Sequence, residues 1–288
     1  MILVFQMAKV ASRSWMRVLN TAFPERPVIH FHTMSEMSTA RIDAIVQETG
    51  SNQTIRHMSL PRLGRPPQQI EPFVENGAWV GPPVDIVAGI RDPVARAVSV
   101  VGFLTNRLGY TRGEVTVRDN GTAENLNTLF FEVLRVAQGK DGQGEDDHGD
   151  TLVRILAHAV FDYRRWFQEE LMPAFGIDIS RMDFDRDARV LRHDGRHRLL
   201  VYRVEDLVAP ETARVVTRTA GAFFGREVGD IPADDISHEG RYRALYKEFA
   251  QSVRLPEADL SWFYDHPTVE KFYTPREIAV FRRRWGRA

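Results

Sequence analysis

The sequence predicts an α/β fold, a parallel β-sheet with helices on both faces. Three observations lead there: strand-like and helix-like segments alternate over residues 1–107, the strands read as short apolar runs, and 43% of the 288 residues are hydrophobic. Parallel strands need helical crossovers that bury both sheet faces, so such strands lose the alternation of a half-exposed sheet. The segments in order are strand 1–6, helix 13–23, strand 27–32, helix 36–49, strand 53–58, helix 66–76, strand 84–90 and helix 93–107.

Met1 to Phe5 is apolar, and Trp15, Met16, Val18, Leu19, Ala22 and Phe23 then recur at helical spacing. The run Val28-Ile-His-Phe-His32 closes the second strand, and alternation puts His30 and His32 on one face. After the buried strand that ends at Arg91, Asp92 is the expected N-cap and Pro93 the first helical residue. Residues 110–150 break the alternation, and Gln138 to Asp150 is polar, acidic and rich in glycine, so a flexible insertion is expected there. A helix over 151–172, a strand over 198–204 and helices over 211–224, 239–253 and 275–285 complete the chain. One domain over 1–288 carrying that insertion accommodates the length.

Composition narrows the function. Lysine and arginine number 38 against 39 acidic residues, for a net charge of −1, which argues against nucleic acid as a partner. Without cysteine there are no disulfides and no thiol chemistry. Met1–Phe5 is too short for a signal peptide, and no run approaches the roughly 18 apolar residues of a membrane span. With Met1 as the native start, a cytoplasmic protein is expected. No ligand cluster has metal-binding spacing, so no metal is expected.

Residues 6–15, Gln-Met-Ala-Lys-Val-Ala-Ser-Arg-Ser-Trp, set a lysine and two serines between a strand and a helix. The unpaired N–H groups and positive dipole end of such a helix favour an anion, Lys9 adds charge, and Ser12 and Ser14 add hydroxyl donors. The segment lacks both glycines of the loop G-x-x-x-x-G-K-[ST] and the hydroxyl residue after its lysine, which disfavours ordinary ATP binding. A second element supports a phosphate ligand. Arg91 ends its strand and offers a bidentate fork, while Ser99, two helical turns beyond Asp92, offers a neutral donor.

Together these segments resemble the sulfotransferases that use 3′-phosphoadenosine 5′-phosphosulfate (PAPS). Met7-Ala-Lys-Val-Ala-Ser-Arg-Ser14 is similar to their 5′-phosphosulfate loop, and Arg91-Asp-Pro-Val-Ala-Arg-Ala-Val-Ser99 to their 3′-phosphate element. The resemblance implies a P-loop NTPase-like sulfotransferase fold and PAPS as sulfuryl donor. It further implies that Lys9, Val10, Ala11, Ser12, Arg13 and Ser14, with Arg91 and Ser99, hold that donor. More weakly, Leu200-Val-Tyr-Arg-Val-Glu-Asp-Leu207 resembles a late strand and turn of these enzymes. Trp166-Phe-Gln-Glu-Glu-Leu171, Phe175-Gly-Ile-Asp178 and Lys271-Phe-Tyr-Thr-Pro-Arg-Glu-Ile278 resemble bacterial sulfotransferase-like proteins of capsular polysaccharide synthesis.

Sulfuryl transfer needs charge stabilised on the leaving oxygen and a base for the acceptor hydroxyl. Lys9 suits the first task. Uronyl 2-O-sulfotransferases carry a similar His-x-His, which implies His32 as base with His30 in support, and a carbohydrate hydroxyl as acceptor. His57, ending the third predicted strand, is the alternative base, and Glu36 or Glu75 would serve an enzyme using a carboxylate. Arg13 can reach phosphate or acceptor. Arg203, Glu205 and Asp206 are expected to fix a strand-to-helix turn, and Tyr163, Trp166 and Phe167 to pack in the core. Two other readings stand beside this one, a divergent P-loop kinase using ATP and Mg²⁺ and a non-catalytic nucleotide- or glycan-binding protein.

Overall fold

The computed structural model describes residues 1–36, 40, 44, 67–108, 111–112, 115–116, 121–140, 151–231 and 241–287. Strand β1 (Ile2–Phe5) leads to helix α1 (Ser12–Ala22) and strand β2 (Val28–Phe31). A hairpin of β3 (Val74–Glu75) and β4 (Ala78–Trp79) precedes β5 (Asp85–Ile90) and α2 (Pro93–Leu108). A second small hairpin, β6 (Thr111–Arg112) and β7 (Val115–Thr116), is followed by α3 (Ala123–Ala137) and α4 (Thr151–Trp166). From α4 the chain passes through a π-turn (Phe167–Leu171) into α5 (Met172–Phe175), then β8 (Val190–Asp194), β9 (Arg198–Arg203) and α6 (Pro210–Phe224). Helices α7 (Arg241–Ser252), α8 (Glu257–Tyr264), α9 (Pro267–Phe272) and α10 (Pro275–Trp285) end it.

These residues gather into two compact units. The first spans 1–42, 59–91 and 163–234 and holds a five-stranded sheet in the order β2-β1-β5-β9-β8. Strands β2, β1, β5 and β9 run parallel, in a register that pairs Val4 with His30 and Gly89 with Tyr202. Helices cover both faces, as the apolar strand runs require. On one, Ile2, Val4, Val87, Leu200 and Tyr202 pack with Trp15, Val18 and Leu19 of α1 and with Val216, Ala220 and Phe223 of α6. On the other, Phe5 stacks on Phe31 at 4.5 Å and meets Trp166 at 4.7 Å and Phe175 at 5.7 Å. Asp85 begins β5 with its carboxylate paired to Arg26 (2.6 Å) and Arg198 (2.7 Å), which offsets the cost of burying it.

Three expectations are corrected. The sheet is not wholly parallel: β8 pairs antiparallel with β9, and the Asp194-Gly195 turn that joins them is a hairpin signal. The helix predicted over 66–76 is instead a 3₁₀ turn (Glu71–Phe73) running into the β3–β4 hairpin. Ile70, Phe73 and Val74 have helical spacing, but Pro72 would remove a helix-interior hydrogen bond. Asn76 (φ 50°) and Gly77 (φ 74°) turn the chain back, the backbone a two-residue hairpin demands. Third, residues 123–137 of the expected insertion are helical, with Thr122 and Asn125 forming a reciprocal cap. Residues 141–150, at the heart of that expected loop, and the strand expected over 53–58 lie outside the described residues.

The second unit spans 43–58, 92–162 and 235–288, and its described core is helical. Asp92 caps α2 as predicted, accepting from the Val94 amide at 3.1 Å. Its carboxylate also accepts from the Tyr264 hydroxyl (2.7 Å) and the Trp285 indole (2.8 Å), so one capping residue fixes α8 and α10 to the start of α2.

Candidate functional site

Strands β1 and β5 are neighbours, and the strand that follows β1 in the chain lies on its other side, so the strand order reverses between them. In open α/β sheets the crevice beyond the carboxyl ends at such a reversal is where ligands bind. Gln6–Ala11 leaves β1 there, and Arg91 ends β5 there. The half-buried Arg91 donates from Nη1 to the Lys9 backbone carbonyl at 3.4 Å, so its guanidinium reaches the backbone of the predicted phosphate loop.

The loop carries its bends without glycine. Lys9 (φ 66°) and Ala11 (φ 64°) are both left-handed, a conformation costing on the order of 1–2 kcal/mol for each residue with a Cβ. Buried neighbours enforce it. The Tyr202 hydroxyl donates to the Val10 carbonyl and lies 3.1 Å from Gln6 Oε1, and Gln6 Nε2 donates to the same carbonyl at 3.4 Å. Burial raises the Tyr202 phenol pKa, so it remains a donor. Gly89 makes room for it, because a Cβ there would stand 2.7 Å from the Tyr202 ring.

Ala11 has no side chain with which to cap α1, and the first turn of α1 holds no acidic residue. The positive end of the helix is therefore not compensated by its own cap or first turn; Ser14 is buried, Lys9 and Ser12 partly so and Arg13 exposed. This donor set suits a phosphate group.

His32 follows β2 directly. Its Nδ1 lies 2.7 Å from the Gln6 carbonyl oxygen, which can only accept, so Nδ1 carries the proton and a neutral ring has its lone pair on Nε2. The backbone is pinned as well: the His32 carbonyl accepts from the Trp166 indole at 2.7 Å. The buried Glu170 carboxylate accepts from the Met34 amide (2.6 Å), the Ser35 amide (2.9 Å) and the Ser35 hydroxyl (2.7 Å). Glu170 belongs to the π-turn, an irregularity often found at functional sites. His30 stands edge-on to His32 with ring centroids 4.5 Å apart, and its buried Nε2 has no hydrogen-bond partner among the described residues. Burial first, then the charges of His32 and Arg13, lower its pKa to about 3, so the ring is neutral near pH 7.

The other predicted residues divide. His57 lies outside the described residues. Ser99 is buried on α2 in the second unit, and its part in a phosphate site rests on the resemblance alone. Glu36 is exposed, as is Glu75 on the β3–β4 hairpin. Arg203 grips Asp206 through two hydrogen bonds of 2.6 and 2.8 Å and fixes the turn after β9, and Tyr163, Trp166 and Phe167 are core residues. Sequence reasoning missed Gln6, Tyr202 and Glu170 as supports of the site. Among the described residues, no group of three or more His, Asp or Glu is placed to hold a metal, and no helix is long and apolar enough to cross a membrane. Compared with known proteins, the chain matches no family model, no curated protein and no solved structure.

Proposed function

We propose that this chain is a sulfotransferase that moves the sulfuryl group of PAPS to a hydroxyl of a carbohydrate acceptor. The observation that carries the reading is that the Arg91 side chain reaches the backbone of the Lys9 loop where the strand order reverses, with His32 anchored to Gln6 of the same loop. A P-loop-like sulfotransferase architecture belongs to the same proposal.

The residues fit the donor's charge. Lys9, Ser12, Ser14 and the first-turn amides of α1 would hold one phosphate end, and the Arg91 fork the other. PAPS when bound supplies an activated sulfuryl group on a phosphate leaving group. Lys9 neutralises the negative charge that grows on the departing side, without a metal ion. His32 takes the acceptor proton at Nε2, and the Gln6 carbonyl keeps the ring in that tautomer and stabilises the imidazolium that results. Glu170 and Trp166 hold the backbone around His32 in place before any ligand arrives.

Thermal unfolding with adenosine 3′,5′-bisphosphate tests the reading. A native-state ligand at 100 times its Kd adds about 2.7 kcal/mol of stability, so melting should rise with the bisphosphate and need no magnesium. Stabilisation by ATP with Mg²⁺ and none by the bisphosphate would replace the proposal with a kinase. Labelled sulfate passing from PAPS to members of a polysaccharide panel would establish turnover.

A further inference from the structure

The second unit carries a basic groove between α7 and α10 that the proposed reaction does not use. Arg243, Lys247, Gln251 and Arg254 recur at three- and four-residue spacing, so they form one stripe of α7 and its end, about 16 Å long at 1.5 Å per residue. The other side of α7 is committed to the core, where the buried Phe249 meets Phe130 of α3 at 6.2 Å. Arg284 at the end of α10 closes a groove of about 480 Å³ with no carboxylate in its lining.

Several acids of the neighbouring helices are engaged elsewhere, and Glu248, exposed on α7 beside Lys247, is not in the lining of the groove. Arg282 takes both Glu257 and Asp265, Lys140 pairs with Asp259 at 3.6 Å, and Glu277 caps α10 through Thr274. Arg243, Lys247, Arg254 and Arg284 are exposed and have no ion pair among the described residues. In a chain with net charge −1, such a concentration of cations is a local feature rather than a general one.

The geometry points to a docking groove for an acidic polysaccharide. A linear row of cations fits a polymer with spaced negative charges, and the exposed Gln251 sets a neutral hydrogen-bonding group among the cations, suited to hydroxyls. Single-stranded nucleic acid is the poorer fit because it needs open aromatic faces for its bases. Here Trp285 is 2% exposed and lies beneath the Arg284 guanidinium, 4.7 Å from the ring centroid, and the other aromatic ring of the lining, Tyr246, is half-buried.

Binding to the full chain, with no PAPS present, keeps this test separate from the sulfotransferase reading. The probes are polygalacturonate, neutral dextran and an oligo-dT strand, titrated at several salt concentrations. Wild type should bind polygalacturonate with an affinity that falls with salt, and should bind dextran not at all and oligo-dT more weakly. The variant Arg243→Ser/Lys247→Ser/Arg254→Ser changes only exposed residues and should lose roughly 10-fold in affinity, the product of three modest exposed contacts. An equal charge removed elsewhere, Arg181→Ser/Arg214→Ser/Arg218→Ser, should change affinity by less than about twofold. Equal losses in the two variants, oligo-dT binding as tight as polygalacturonate, or no polygalacturonate binding at low salt would each overturn the proposal.

Discussion

The Tyr202 hydroxyl donates to the carbonyl of Val10, reaching from β9 over the bare backbone of Gly89 to a loop 192 residues earlier in the chain. The proposed anion cradle is thus braced from a strand two places away in the sheet. Tyr202→Phe should keep the fold while costing about 1–3 kcal/mol in urea unfolding, since a buried carbonyl loses its best donor. Bisphosphate affinity should fall with it, and calorimetry showing unchanged affinity would separate the brace from the site.

Arg91→Ala removes the fork at the end of β5. Bisphosphate binding should weaken by about 1.5–3 kcal/mol, the worth of a charge-assisted hydrogen bond, while the melting temperature without ligand barely moves. Titration calorimetry checks both.

Lys9 and His32 are proposed to act mainly in the transition state, so their alanine variants should lose turnover far more than affinity for the bisphosphate. For His32→Ala the expected loss in kcat is about 10²–10⁴-fold. For the proposed transfer by the unaltered protein, kcat should rise with pH and then level, because only the neutral ring accepts a proton. Full activity in His32→Ala with none in His57→Ala would transfer the base to His57.

His30 ties stability to pH. Its pKa drops from 6.5 in the unfolded chain to about 3 in the fold, so between those values the unfolded state binds the extra proton. The fold is therefore penalised as pH falls below 6.5, by about 1.4 kcal/mol per unit. His30→Leu abolishes this component, and between pH 7 and pH 5 its stability relative to wild type should improve by about 2 kcal/mol. Parallel denaturation curves at the two pH values would sink the assignment.

Glu170→Gln keeps the side-chain shape but weakens three charge-assisted hydrogen bonds to Met34 and Ser35. A loss of about 2–3 kcal/mol is expected. Hydrogen exchange should speed up at the Met34 and Ser35 amides first, and protection there equal to wild type would count against the clamp.

Much of this site was legible locally. Apolar runs located β1 and β5, Asp92-Pro93 marked the start of α2, and Lys9 and Arg91 were identifiable because strand ends in an α/β sheet gather at one edge. What stayed hidden depends on distance in the chain. Nothing near Val10 announces Tyr202, and nothing near Ser35 announces Glu170, 135 residues on. The left-handed bends at Lys9 and Ala11 were invisible for a related reason, since glycine is the usual local sign and here long-range contacts take its place. The β3–β4 hairpin is a different failure. Asn76-Gly77 is a local hairpin signal, but Ile70, Phe73 and Val74 just before it have helical spacing, and the helix expected over 66–76 runs across both.

The brace on Val10 also sets what transplanting this loop would require. Residues 6–14 moved alone onto another parallel sheet would carry the lysine and the serines but not the backbone bends, which relax once their supports are gone. A working graft needs a glycine on the next strand, a tyrosine on the strand beyond it and the glutamine that opens the loop. A protein engineer should therefore treat Gln6, Gly89 and Tyr202 as part of the cassette, and expect an ordinary surface turn wherever any of the three is left behind.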